Sequence, residues 1–224
     1  MTPRRQEDRT RATRTALIAA ARELFGERGY AAVPAEEIVA GPGLTRGAMR
    51  HHFGDKRALF AAVFEELQAE IAERVAAAAG GPDRDAGTWD ALRGGLVAFL
   101  DLCREPEVIR IALTDAPAVL GWQACREVEA RHGLGLVTAG LDRAGREGII
   151  APRPAGVLAR LLLGAAVETA LIIARAPDPA AAREPAERTL LALLDGLRTA
   201  PGGMAPGRTA PEPPQEWTGP PPVR

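Results

Sequence analysis

Residues 45–50 combine side chains that could grip a phosphate backbone and read base edges. Thr45 is a good N-cap, and a helix N-terminus attracts phosphate oxygens through its free N–H groups and partial positive charge. Arg46 and Arg50 supply guanidinium groups, which can bind phosphate or guanine through paired hydrogen bonds. Gly47 and Ala48 are small enough to let a helix approach closely, and a methyl such as that of Ala48 can contact thymine. The pattern favours nucleic-acid recognition by a short exposed helix.

Further cations and histidines flank this segment. His51 lies next to it, and Lys56, the only lysine of the chain, follows with Arg57 at the start of another helix. The adjacent His51 and His52 could suggest a metal site, but neighbouring residues on a helix point about 100° apart. No third ligand of suitable spacing is nearby, so we expect no metal.

Four helices must position these side chains. A first helix carries one apolar face and stops at Gly29, and a short second helix starts at Pro34. The turn Gly41-Pro42-Gly43 separates it from the third helix, which Thr45 caps, and Asp55 caps the fourth. The expected bounds are 9–27, 34–40, 45–52 and 56–79.

The composition predicts an all-α fold, because alanine and leucine are abundant and only 4% of residues are aromatic. We expect about nine helices, the later ones at 88–103, 106–113, 117–147, 154–176 and 185–197. The predicted organisation is a flexible basic arm at 1–8, a helix-turn-helix domain at 9–57, a helical ligand-binding and dimerisation domain at 58–199, and a disordered Pro/Gly-rich tail at 200–224.

The net charge of −1 hides an uneven distribution. Residues 1–57 contain 11 basic and 7 acidic residues, a net charge of +4, whereas the remaining 167 contain 17 and 22, a net charge of −5. Cys103 and Cys125 have no metal or redox spacing and are expected to be free thiols. The apolar run 161–167 is cut by Glu168, short of the ~20 residues of a membrane span, so we expect a cytoplasmic protein.

The N-terminal region resembles a known family. Its matching segments are Gly29-Tyr30, Glu36-Glu37-Ile38, Gly43-Leu44-Thr45-Arg46-Gly47-Ala48-Met49 and His51-His52-Phe53-Gly54-Asp55-Lys56-Arg57-Ala58-Leu59-Phe60. They are similar to the N-terminal domain of TetR/AcrR-type transcriptional regulators, closely over residues 10–64 and more loosely over 85–198. The resemblance implies a homodimer that binds a palindromic operator in double-stranded DNA and a small-molecule effector in its C-terminal domain, without a cofactor. The function that fits best is that of a repressor, which the small-molecule effector releases from the operator.

Position by position, the resemblance assigns DNA contacts and shows two departures. The DNA-contacting set is Thr45, Arg46, Gly47, Ala48, Arg50, His51 and Lys56, with Phe53 as a core residue. Pro34 stands where the family often has threonine, and Arg50 where it often has tyrosine. Together with Pro42, these departures leave open a protein that binds a ligand but no longer binds DNA.

The C-terminal half should supply dimerisation and effector binding. The apolar faces of the last two helices predict a four-helix interface between two subunits, formed by Leu158, Leu161, Leu162, Ala165, Thr169, Ile172, Leu190, Leu194 and Leu197. The pocket is predicted to be lined by Trp89, Phe99, Leu100, Cys103, Leu113, Trp122, Leu163, Val167 and Glu168, although taken singly such residues are more often ordinary core than ligand contacts. Glu168 interrupts an apolar run, so it turns outward, pairs with an arginine or meets a polar or cationic ligand.

An enzyme is the competing class. The sequence contains no Gly-x-Ser-x-Gly motif, no P-loop and no Cys/His ligand set, so we expect no catalytic activity.

Overall fold

A computed structural model describes residues 3–80 and 87–199 of the chain. Within these residues the chain forms ten helices, and its β-structure is one isolated bridge, which confirms the all-α prediction. The predicted tail at 200–224 lies outside the described residues. The helices α1 to α10 are Pro3–Arg28, Ala35–Ala40, Arg46–Phe53, Lys56–Ala79, Thr88–Leu102, 106–119, Trp122–His132, Leu134–Arg146, Ala155–Arg175 and Pro179–Asp195.

Helices α1, α2 and α3 pack with the start of α4 as a small N-terminal unit. Its centre is an aromatic cluster in which the ring of Phe60 lies 5.3 Å from that of Phe25 and 5.1 Å from that of Tyr30, centroid to centroid. Residues 3–8 of the arm expected at 1–8 are helical, because α1 already begins at Pro3. The predicted start of this helix was based on where its apolar face begins, but arginine, glutamine and glutamate also favour helix.

Helix α4 continues from this unit into the C-terminal domain. It packs against α1 at one end and against α5 along its length, while α9 and α10 form an antiparallel hairpin. One apolar core runs from Leu17 on α1 to Leu190 on α10, and a second, smaller core surrounds Trp89 and Leu194. The continuous core means that the two domains share buried contacts.

Three predicted helices of the C-terminal domain have wrong bounds. The helix expected at 117–147 is broken at Gly121, whose φ of +86° favours glycine, and again at Gly133. The last helix begins at Pro179 because Asp178 caps it, its Oδ1 atom accepting a hydrogen bond from the Ala181 N–H at 3.0 Å. Pro185, the predicted start, lies inside the helix.

Helix α6 extends beyond its predicted end at residue 113. Its middle, Ile109–Asp115, is a π-helical segment between the short α-helical pieces Pro106–Val108 and Ala116–Val119. A proline inside an α-helix collides with the carbonyl four residues earlier, which for Pro117 is that of Leu113. The wider π turn just before Pro117 removes this conflict and lets the helix continue.

Candidate functional site

The turn and N-cap of α3 match the sequence prediction. Gly43 adopts φ +67°, a conformation that L side chains rarely adopt, and so permits the tight turn after α2. The Thr45 Oγ1 atom accepts a hydrogen bond from the Ala48 N–H at 3.1 Å, which confirms Thr45 as the N-cap. Met49 is buried and anchors the inner face of α3, so the opposite face is presented outward.

The side chains predicted to contact DNA lie on this outer face. Arg46, Arg50 and His51 are exposed, as are Thr45 and Gly47, while Ala48 is half-buried. The Arg46 Nη1 atom lies 2.7 Å from Glu36 Oε1, with both side chains more than half exposed. An exposed pair of this kind contributes only ~0–1 kcal/mol, so DNA phosphate can displace it.

Lys56 serves inside the fold rather than on this face. Its ammonium donates hydrogen bonds to the carbonyls of Tyr30 at 2.7 Å and Val33 at 2.6 Å, and its Nζ atom lies 4.0 Å from the Tyr30 ring centroid. Burial lowers the pKa of Lys56, an effect that the nearby Asp115 carboxylate opposes. Two of its three N–H donors are spent on the loop between α1 and α2. The geometry therefore favours a structural clamp over the predicted phosphate contact.

Replacing Lys56 with methionine tests this assignment. The Lys56→Met change leaves two half-buried carbonyls without their donor, so we expect the free energy of unfolding in urea to fall by ~1–3 kcal/mol. Arg11→Met, an exposed position on α1, is the matched control and should change stability by less than about 0.5 kcal/mol. If Lys56 instead contacted a DNA phosphate, the Lys56→Met change would lower the salt dependence of DNA binding by about one released ion. That result would contradict the assignment of Lys56 as a structural clamp.

The C-terminal part of helix α6 and the residue after it are hydrogen-bonded to the N-terminal unit at two points. Arg57, in the first turn of α4, donates from Nε to the Val119 carbonyl at 3.0 Å and from Nη2 to the Leu120 carbonyl at 3.2 Å. The Asp115 Oδ2 atom accepts a hydrogen bond from the Tyr30 N–H at 2.7 Å. The end of α6 is thus fixed to the loop and helix that support α3.

A cavity of about 410 Å³ lies in the C-terminal domain, between helices that run from α4 to α10. Its size is in the range that holds a small molecule. Most of its lining is apolar. Six of the predicted pocket residues line it: Phe99, Cys103, Leu113, Trp122, Leu163 and Val167.

The other three predicted pocket residues lie elsewhere. The Trp89 indole belongs to the smaller core, where its Nε1–H donates to Asp195 Oδ1 at 2.8 Å. Leu100 is a core residue of the larger cluster. Glu168 is exposed on α9, so of its three alternatives the outward orientation is the one the structure shows.

The sequence prediction missed the carboxylate that does line the cavity, which is Glu129 on α7. Its Oε2 atom is buried and has no hydrogen-bond partner among the described residues, and burial raises the pKa of this side chain. Burial also raises the pKa of the Cys103 thiol to about 12 and that of Cys125 to about 11, so both thiols stay protonated at neutral pH. Trp122, Cys125 and Glu129 follow a spacing of three and four residues, which places them on one helix face.

The predicted dimer residues fall into three groups. Leu161 and Ile172 are exposed, at 67% and 55%. The half-buried members are Leu158, Ala165, Thr169 and Leu197. Leu162, Leu190 and Leu194 are buried within the subunit itself, where they belong to its core rather than to an open face. Val157 and Leu193, each 60% exposed, are apolar surface residues that the prediction did not include.

Comparisons with known proteins agree with this architecture. Residues 17–63 match a family model described as bacterial regulatory proteins of the tetR family, and residues 89–197 match one described as a tetracyclin repressor-like C-terminal domain. An HTH-type transcriptional repressor of Mycobacterium tuberculosis is 33% identical over 65% of this chain and 71% of that protein. The chain belongs to the TetR family of transcriptional regulators.

Two further known proteins extend the match. A crystal structure of a TetR-family regulator from Pectobacterium atrosepticum is 36% identical, with a TM-score of 0.76 over 90% of this chain and all of that chain. The transposon Tn10 TetC protein of Escherichia coli is 26% identical over 71% of this chain and 79% of that protein. The chain is a helix-turn-helix DNA-binding regulator of a non-enzymatic family, which excludes the enzyme alternative.

One helix of this TetR regulator is long and apolar enough to cross a membrane. It is α9, with a mean hydropathy of 2.0 over a window that is 33% buried. Arg160 and Glu168 interrupt it, and it packs against α8 and α10 in the middle of the chain. These features fit a core helix of a soluble regulator.

Proposed function

We propose that this chain is a cytoplasmic repressor that binds an inverted-repeat operator as a homodimer and releases it when a small molecule enters the cavity. The observation that carries the proposal is the position of α6. One side of this helix lines the cavity, and the other side is hydrogen-bonded to the N-terminal unit. A ligand and the DNA-binding helix therefore act on the same element.

The cavity side of α6 consists of Val108, Ala112, Leu113 and Pro117. Two of these four residues, Ala112 and Leu113, belong to the π-helical segment, and Val108 directly precedes it. π-helical turns are rare and are frequently found at functional sites. The element that meets the ligand thus has a conformation that often accompanies function.

The opposite side of α6 is hydrogen-bonded to the N-terminal unit near both of its ends. At its start, Arg22 on α1 donates to both carboxylate oxygens of Glu107, at 2.7 and 2.9 Å. At its end are the hydrogen bonds of Asp115 to Tyr30 and of Arg57 to the last carbonyls. A shift of α6 therefore moves α1 and the first turn of α4, which together support α3.

The mechanism follows from these contacts. Without ligand, two α3 helices lie about 34–36 Å apart and fit successive major grooves. A ligand that favours another arrangement of α6 changes this spacing and lowers DNA affinity, with a typical coupling free energy of about 1–3 kcal/mol. Arg46 and Arg50 contact base edges or phosphates, and the exposed N-terminus of α3 faces a phosphate.

Dimerisation explains the exposed apolar surface of the last two helices. Val157, Leu161 and Ile172 lie at intervals of four and eleven residues on α9, which places them on one face, and Leu193 adds to this surface from α10. Pairing α9 and α10 with the same helices of a second subunit covers these side chains in a four-helix bundle. Two-fold symmetry of the protein then requires an inverted-repeat operator.

The direct test is DNA binding to the region upstream of the protein's own reading frame. Fluorescence anisotropy with a labelled duplex should show saturable binding of two chains per inverted repeat. A duplex with one scrambled half-site is the matched control and should bind at least tenfold more weakly. Equal affinity for both duplexes would contradict the proposal.

The hydrogen bond between Asp115 and Tyr30 gives a test of the domain connection. The Asp115→Ala change leaves the Tyr30 N–H without its charged acceptor, a contact worth ~1.5–3 kcal/mol. We expect hydrogen exchange of the Tyr30 amide to accelerate by about tenfold to a hundredfold. Arg104→Ala, at an exposed residue just before α6, should leave this exchange rate unchanged. An unchanged rate in the Asp115 variant would show that this contact does not hold the domains together.

A further inference from the structure

One carboxylate, Glu129, lines the cavity and forms no salt bridge with any of the residues that the structure describes. The Glu129 Oε2 atom is buried and has no hydrogen-bond partner among residues 3–80 and 87–199. A buried ionised carboxylate without a partner is costly, and proteins normally pair or hydrogen-bond such a group. The unsatisfied oxygen therefore points to a ligand that supplies the missing partner.

Two arginines near this cavity do not fulfil that role. Arg143 lines the cavity, but its Nε atom donates to Glu147 Oε1 at 2.7 Å, and its side chain is 65% exposed. Arg126 is exposed, and although its charge favours the ionised form of Glu129, burial has the larger effect on the pKa of that carboxyl. The ionisable cavity group with a buried oxygen or nitrogen that lacks a hydrogen-bond partner among the described residues is therefore an acidic one.

We propose that the effector is a lipophilic organic cation, an amine or ammonium compound whose nitrogen is held by the Glu129 carboxylate. This inference rests on the proposed function, because it takes the cavity to be the effector site. The apolar lining accepts the hydrocarbon part of the ligand, and a volume of about 410 Å³ limits it to a single small molecule.

Aromatic side chains add to the preference for a cation. Phe99 and Trp122 both line the cavity, and the faces of aromatic rings attract ammonium groups. Trp122 starts α7 directly after α6, and Glu129 lies two turns further along the same helix. A cation bound between them is thus adjacent to the element that contacts the DNA-binding unit.

The test uses three probes with the same ten-carbon chain, decylamine, decan-1-ol and decanoate, titrated into the full-length protein by calorimetry at pH 7.5. Decylamine is protonated at this pH, since its pKa is close to that of lysine. We expect decylamine to bind at least tenfold more tightly than decan-1-ol, and decanoate to bind most weakly. Glu129→Gln should weaken decylamine binding by at least tenfold and change decan-1-ol binding by less than about threefold.

Glu127→Gln is the matched control, because Glu127 is an exposed carboxylate on the same helix that accepts a hydrogen bond from Gln123 at 3.0 Å. It should leave all three affinities unchanged. Equal binding of decylamine and decan-1-ol, or tightest binding of decanoate, overturns the cation proposal while the cavity remains a binding site. Binding of none of the three overturns it as well. The proposed function is tested separately by the anisotropy experiment. Equal affinity of the parent protein for the operator duplex and the scrambled duplex would contradict that function and not the cation proposal itself.

Discussion

Replacing Arg46 and Arg50 together with alanine is expected to lower operator affinity by at least a hundredfold. Both guanidinium groups are exposed at the outer face of α3, and a good bidentate contact to a base contributes ~1–3 kcal/mol. The fold should not change, since neither side chain is buried and Arg46 has only one exposed ion pair with Glu36. Fluorescence anisotropy on the operator and circular dichroism of the free protein measure the two effects.

The matched control removes the same charge elsewhere. Arg146 on α8 and Arg188 on α10 are exposed, and their double alanine variant should bind the operator within about threefold of the parent. If the Arg46→Ala, Arg50→Ala variant binds as tightly as this control, the assignment of α3 as the DNA-reading helix is wrong.

Placing aspartate at Leu161 and Ile172 is expected to convert the proposed dimer to a monomer at micromolar concentration. In a paired subunit these residues would be covered by apolar side chains, and burying two unpaired carboxylates there raises the dissociation constant by at least a hundredfold. Both positions are more than half exposed in the single subunit, so its folding is unaffected. Light scattering measures the molecular mass of the variant. Its operator affinity should also fall, because a monomer binds each half-site independently.

The control variant carries two aspartates outside this surface. Ala77→Asp with Ala78→Asp makes the same change of charge at exposed positions of α4 and should remain dimeric. A Leu161→Asp, Ile172→Asp protein that keeps the mass of two chains would show that α9 does not form the interface.

Local signals made the helix-turn-helix predictable. The caps at Thr45 and Asp55 each depend on a hydrogen bond to a residue three positions ahead, and both are present in the structure. The role of Lys56 could not be predicted from local signals, because the carbonyls it binds belong to Tyr30 and Val33, more than twenty residues earlier. Only tertiary folding brings that loop to the ammonium group.

The cavity shows why a side-chain type alone does not identify a ligand contact. Glu168 interrupts an apolar run, yet α9 turns it to the surface. Glu129 lies in a charged stretch that reads as solvent-exposed, and the rotation of α7 after the break at Gly121 turns it toward the cavity. Packing against the other helices sets the orientation of each helix. The periodicity of apolar residues within one helix does not predict that orientation.

For the proposed dimer face, too, the sequence did not show which side chains of a helix face outward. Helix α9 is apolar on nearly all sides, so its pattern could not distinguish Leu162, which packs within the subunit, from Leu161, which faces outward. Only the positions of α8 and α10 against α9 separate the two sets of residues.

Selection of bound sequences from a random DNA library with the full-length protein tests the central claim most directly. The claim predicts enrichment of an inverted repeat whose half-sites are one helical turn apart, with no enrichment by the Arg46→Ala, Arg50→Ala variant. Failure of the parent protein to enrich any sequence, or enrichment of the same sequence by that variant, would contradict it.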